Sequence, residues 1–210
     1  MTAVFGTAPN LFSGRSPAFR PRCRFLQMLL ILAAGCVCSA ADAKPQQNKP
    51  EEYQVKAVYL YNFGRFVEWP LTAVKNDLFK ICVLGNDPFG PILDTTLAGE
   101  VIENRKLVAM RIASTRDAAG CKVLFISSSE AAHLKEILKT VDKAAVLTVS
   151  DMPGFTNGGG MIQFVLQENK VRFEVNLTAA ERSGLTLSSQ LLKVATEIKK
   201  APRSDDTNHD

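Results

Sequence analysis

Runs of apolar and polar positions divide the chain into alternating elements. From Tyr53 to Phe66, Val55, Val58, Tyr59, Asn62 and Phe66 recur at intervals of three and four, the spacing of one helix face, and Leu60, Phe63 and Val67 widen the stripe. Trp69-Pro70 ends that helix, because proline disfavours helical backbone in the residue before it. An apolar strand follows at Leu78 to Leu84, then a helix from about Asp87 to Leu97. Strands at Lys106 to Ile112 and Val123 to Ile126, a helix from Glu130 to Lys139 and a strand at Ala145 to Val149 continue the alternation. The central runs are apolar without a period of two, as expected of strands covered on both faces. Met161 to Leu166 and Val171 to Val175 flank a polar tetrad in which Asn169 suits a positive φ, a hairpin signal. The last helix is expected from Thr178 to Lys199, with a kink or a break at Ser183-Gly184. The order predicts one α/β domain at 51–200, a mainly parallel sheet flanked by helices with a C-terminal antiparallel hairpin.

The ends have a different composition. Residues 1–43 carry Arg15, Arg20, Arg22 and Arg24, then an apolar run from Phe25 to Val37, then Ala41-Asp42-Ala43, a pattern that predicts a cleaved signal peptide and a periplasmic destination. The apolar run is shorter than the roughly 20 residues that span a bilayer. Leu32 to Cys36 also resembles a lipobox, so lipidation at Cys36 is the alternative. Residues 44–50 read as a linker and 201–210 as a disordered tail. Setting the four leader arginines aside from 25 basic residues, and Asp42 from 21 acidic ones, leaves a chain near neutrality. A basic footprint for a phosphate backbone is missing, so nucleic acid is not an expected partner.

The remaining residue chemistry offers little to catalysis. The chain has two histidines, His133 and His209, which cannot form a histidine metal cluster, and no serine–histidine relay is visible. No cofactor and no metal are expected. Three polar loops fall at the carboxyl ends of predicted strands, where open α/β sheets bind ligands: Gly85–Gly90, Ser127–Ser129 and Ser150–Asp151. Asn86, Asp87, Ser128 and Asp151 are the candidate crevice residues, with helix capping as their competing role. The glycine-rich loop Asp151–Met161 offers Met152 and Phe155 as apolar contacts for a partner, with Leu185 on the last helix beside them. Closure of the core by Phe155 and Met161 is the alternative.

Two segments bear a family resemblance. The run Tyr53–Pro70 (YQVKAVYLYNFGRFVEWP) and the run Val171–Lys193 (VRFEVNLTAAERSGLTLSSQLLK) resemble the opening and closing signatures of the YfiR-like family of small periplasmic proteins, with Ile81–Gly85 and Cys121–Ser127 in the expected order between them. The resemblance implies a non-enzymatic regulator of an inner-membrane signalling protein, a diguanylate cyclase or a sensor kinase, and through it of cyclic-di-GMP and biofilm formation. A small-ligand sensor is the other reading, the ligand itself undefined, and a homodimer stays open as an assembly. Outside the leader only Cys82 and Cys121 remain, and in an oxidising compartment such a pair invites a disulfide. Their spacing matches the family's cysteine pair, and two buried thiols are the alternative. The family's second cysteine pair, in the region of 151–161, has no counterpart here.

Overall fold

The structure is a computed structural model and describes residues 49–70, 78–142 and 144–200. The expected leader, the lipobox at Cys36 and the tail from 201 to 210 lie outside them, as does the expected linker up to residue 48. Helix α1 (Lys49–Phe66) is followed by β1 (Val67–Glu68), β2 (Leu78–Leu84), α2 (Pro91–Leu97), β3 (Val101–Ile102) and β4 (Arg105–Ile112). Then come β5 (Val123–Ile126), α3 (Leu134–Val141), β6 (Leu147–Ser150), the hairpin β7 (Ile162–Gln167) and β8 (Lys170–Asn176), α4 (Leu177–Arg182), β9 (Thr186–Leu187), α5 (Ser189–Val194) and β10 (Glu197–Lys199). Short 3-10 turns at Thr115–Gly120 and Ser128–His133 precede β5 and α3.

Eight strands form one sheet in the order β10-β8-β7-β6-β5-β2-β4-β3. β4, β2, β5, β6 and β7 run parallel to their neighbours, whereas β7 with β8 and β3 with β4 pair antiparallel. The α/β class, the parallel centre and the hairpin therefore stand as the periodicity predicts. In the hairpin both turn residues, Glu168 and Asn169, adopt positive φ, at 49° and 60°, which matches the twist of the strands.

Each sheet face has its own core. One joins α1 and α2 through Leu60, Phe63, Phe79, Phe125 and Phe173; the other packs α3 and the 3-10 turns through Cys82, Leu124, Ile126, Ile137 and Phe155. Cys82 on β2 and Cys121 before β5 are joined in a disulfide with a Cα separation of 6.0 Å. Closing a loop of 39 positions, it stabilises by about 4 kcal/mol in the chain-entropy model.

Two expectations change, and a third is decided between its alternatives. α1 buries Lys56, Ala57, Leu60, Phe63 and Gly64, while Val55 and Val58 stand 40% and 44% exposed. A helix apolar over most of its circumference has no periodic preference between faces, so the sheet chooses. The helix expected to start near Asp87 begins at Pro91, because the Asp87 carboxylate accepts from the Phe89 amide at 2.8 Å and holds a turn there. At Ser183-Gly184 the last helix breaks, where a kink was the alternative, and its first part stops at Arg182. Gly184, at φ 75°, lets the Leu185 amide donate back to the Ala180 carbonyl and the Gly184 amide to Glu181, a left-handed helix end that an L side chain resists. Beyond it, β9 pairs antiparallel with β1, and Ser188 caps a new helix by accepting from the Leu191 amide.

Candidate functional site

β2, β5 and β6 are neighbours, so the three polar loops do share one edge of the sheet. Their polar groups are spent mainly on one another. The Asn86 amide donates to Ser129 Oγ at 3.0 Å, and Ser150 Oγ donates to the Ile126 carbonyl at 2.7 Å while accepting from the Met152 amide. Ser127 caps the 3-10 turn by accepting from the Ser129 amide, and Ser128 stands exposed within that turn. Gly85 has φ 86°, and a Cβ there would collide with Ser129 Oγ, so glycine is what lets these two loops close together.

The two carboxylates point to different partners. Asp87 Oδ2 accepts from Arg111 Nε at 2.8 Å. The same guanidinium donates to Asp94 at 2.8 Å and to the Gly90 carbonyl at 2.6 Å, and its hydrogen bond holds the Asp94 carboxyl below its usual range. Asp151 Oδ2 instead accepts from Tyr53 Oη at 2.8 Å and from Lys56 Nζ at 2.7 Å. Lys56 is 3% exposed and is shared with Glu52 at 2.5 Å. Burial first, then the hydrogen bond to Asp151, pushes the Tyr53 phenol well above its ordinary value. Its ring meets Phe89 edge-on at 5.3 Å, so the first turns of α1 lie across the strand ends and cover the crevice. An open groove of about 340 Å³ remains beside this clasp, lined by Glu52, Lys56, Asp151, Phe164 and Leu166.

Met152 and Phe155, expected as exposed contacts, are 5% and 0% exposed, and Leu185 is 1% exposed. The expectation of an apolar partner loop is therefore corrected, and the alternative of core closure holds. The physical cause lies in the topology. β6 and β7 are parallel, so the chain must cross a sheet face to join them; here the crossing segment, 151–161, carries only a turn and covers that face with its own side chains. Phe155 fills the place a crossover helix would take, and a Cβ on Gly160 would collide with its ring.

Lys56, Tyr53 and Arg111 were not singled out by sequence. Lys56 had a signal: it stands four and seven residues before Leu60 and Phe63, inside the buried stripe, where a lysine needs a carboxylate. Arg111 had none, since its partners depend on β2 lying beside β4. Among the described residues no three His, Cys, Asp or Glu side chains are placed to hold a metal ion. No helix among them is long and apolar enough to cross a membrane.

Solved structures that align with this chain include two at low identity. A conserved domain protein from Vibrio cholerae O1 biovar eltor strain N16961 aligns with a TM-score of 0.49 and 15% identity, over 68% of this chain and 60% of that one. The ABC domain in complex with L-Trp from Streptococcus pneumonia aligns with a TM-score of 0.46 and 9% identity, over 70% and 60% of the two chains. The chain thus spans about 60% of the length of either structure. The sequence family is more specific. A family model described as YfiR/HmsC-like matches residues 53–196, from the tyrosine of the Asp151 clasp to the end of α5 and its cap, and the chain belongs to that family.

Proposed function

We propose that the domain is a periplasmic negative regulator. It binds the extracytoplasmic domain of an inner-membrane signalling protein, a diguanylate cyclase, and represses its output. The observation that carries this reading is the YfiR/HmsC-like match across 53–196, a family consistent with periplasmic regulation. The leader pattern and the disulfide fit an oxidising compartment. A soluble domain changes the output of a spanning enzyme by binding one of its states better than another. That difference must reside on exposed surface, which moves the contact away from Met152, Phe155 and Leu185. Val55 and Val58, adjacent on the outer face of α1, are exposed apolar side chains suited to the role. Deletion of the gene raises intracellular cyclic-di-GMP and surface attachment, and Val55→Glu with Val58→Glu reproduces the rise while the protein stays folded. Unchanged cyclic-di-GMP in the deletion strain, with no membrane protein captured by crosslinking, overturns the reading.

The groove beside Lys56 supports a second reading, a small-ligand sensor. It is tested by calorimetric titration with a metabolite panel, because a ligand of the folded state raises the melting temperature by mass action.

A further inference from the structure

The sheet has a notch beside β7. β6 pairs with β7 only through Val149 with Ile162 and Ser150 with Gln163, and the chain then leaves the sheet at Asp151. From Phe164 onward β7 therefore has no strand neighbour on that side among the described residues. On its other side β7 stays paired with β8 as far as the hairpin turn, Leu166 opposite Val171 and Gln167 opposite Lys170. The Asn176 amide donates to the Met161 carbonyl at 2.7 Å, which fixes the phase of that ladder. Antiparallel pairs alternate between bonded and unbonded, so Val165 and Gln167 turn their backbone groups to β8 and Leu166 turns its N–H and C=O the other way. The groove of about 340 Å³ lies along this edge, with Phe164, Val165 and Leu166 in its lining. Asp151, Lys56 and Glu52 line the end at which β6 stops.

Open strand edges are normally blunted by charge, by proline or by a covering strand. The two outer edges of this sheet follow that rule: β3 covers the first residues of β4, and β10 carries Glu197 and Lys199. The run Phe164-Val165-Leu166-Gln167 has neither charge nor proline, and Leu166 is 53% exposed. Such an edge pairs with an extended chain, whose backbone supplies hydrogen bonds and whose alternate side chains supply specificity. At about 3.3 Å per residue the edge takes a strand of about four residues. The charges at the end of the notch narrow the choice. Glu52 and Asp151 share the single ammonium of Lys56, so that end carries one net negative charge and fits a basic side chain. A small cation would answer the charge, but only an extended chain repeats donors and acceptors at the spacing of the Leu166 backbone.

We infer that the notch is a docking site for an extended segment of a partner protein, which joins the sheet as a strand against β7 in line with β6. A lysine or arginine of that segment reaches Glu52 and Asp151. The Leu166 N–H and C=O hold the backbone of the segment, and the two carboxylates set its register. The site is separate from Val55 and Val58 and independent of the regulator reading, and it competes with the small-ligand reading for the same groove.

Amide hydrogen exchange of the purified protein, read residue by residue by NMR, is the first test: Leu166 exchanges fast while Val165 and Gln167 are protected. Protection of Leu166 in the protein alone means that the chain itself or a second copy fills the notch, and it overturns the proposal. A phage-displayed library of random peptides, panned on the purified protein, supplies the probe. The selected peptides carry a lysine or arginine among β-branched residues, and a synthetic copy slows exchange at Leu166. Leu166→Pro deletes the N–H that faces the notch, a change a strand edge tolerates, and weakens peptide binding about tenfold. Glu52→Gln weakens it about fivefold, as loss of one half-buried ion pair should. Methylating the peptide's own amides one at a time tests the pairing without altering the protein: every second position weakens binding about tenfold, the period of a strand. A library that yields no binder, binders indifferent to Leu166→Pro and to methylation, or a metabolite that fills the groove where no peptide binds overturns the proposal.

Discussion

At the carboxyl ends of β2, β5 and β6, Asp87 is held by Arg111 and Asp151 by Tyr53 and Lys56, and the loop serines close on backbone groups. At the amino ends of the neighbouring strands, Lys122 lies over the Trp69 ring, and the indole N–H is buried with no hydrogen-bond partner. The first rim is where an open α/β sheet is expected to bind ligands. In this chain α1 crosses it and pairs its charges, leaving the groove beside Lys56 open. The second rim, which no fold rule marks, keeps one buried donor, the Trp69 indole N–H, without a partner.

The comparison breaks first at Phe155. If the 151–161 segment is core, Phe155→Ala lowers stability by about 4 kcal/mol, as for other buried phenylalanines, measured by urea denaturation. A loss near zero would return the segment to the surface. Next comes the clasp. Asp151→Ala leaves Lys56 buried with Glu52 as its remaining carboxylate, and the same measurement should show a loss of about 2 kcal/mol, below the full cost of a broken buried pair because Glu52 stays. A neutral result would mean that α1 is not fastened across the crevice.

The smallest effect separates the rims by sign. Burial, the hydrogen bond to Asp151 and the charge of that carboxylate raise the Tyr53 phenol above its ordinary value near 10. The folded state then holds a proton that the unfolded chain releases, so stability is full below pH 10 and falls as pH rises beyond it. Burial and the nearby Arg105 lower the Lys122 ammonium below its ordinary value, 10.5. There the folded state gives up its proton first, so stability rises with pH until the unfolded lysine titrates as well. Urea denaturation in steps from about pH 8 to pH 11 should show Tyr53→Phe flattening the alkaline fall and Lys122→Met removing the rising component. Identical profiles for the two variants would erase the contrast between the rims.

The period of the apolar runs was enough for the α/β class, the parallel centre and the hairpin, because strand and helix spacing are local properties. The cysteine pair was equally legible, since of five cysteines only Cys82 and Cys121 lie outside the expected leader. Local spacing failed in α1 and after Gly184. A helix apolar on nearly every side carries no phase, and the sheet buried Lys56 and Phe63 while leaving Val55 and Val58 in solvent. The run after Ser183 keeps helical spacing, yet a left-handed glycine and the pairing of β9 with β1 divide it.

By itself, the sequence determined the main strands and helices up to Gly184, their order and the family to which they belong, all of which follow from neighbours along the chain. Only the tertiary structure decided which polar residues are spent and which are free. Arg111 finds Asp87 because β2 lies beside β4, and Asp151 finds Lys56 because α1 crosses the strand ends. Lys122 meets the face of Trp69, far from it in sequence, at the opposite rim. Such pairings join residues far apart in sequence, and no period along the chain encodes them.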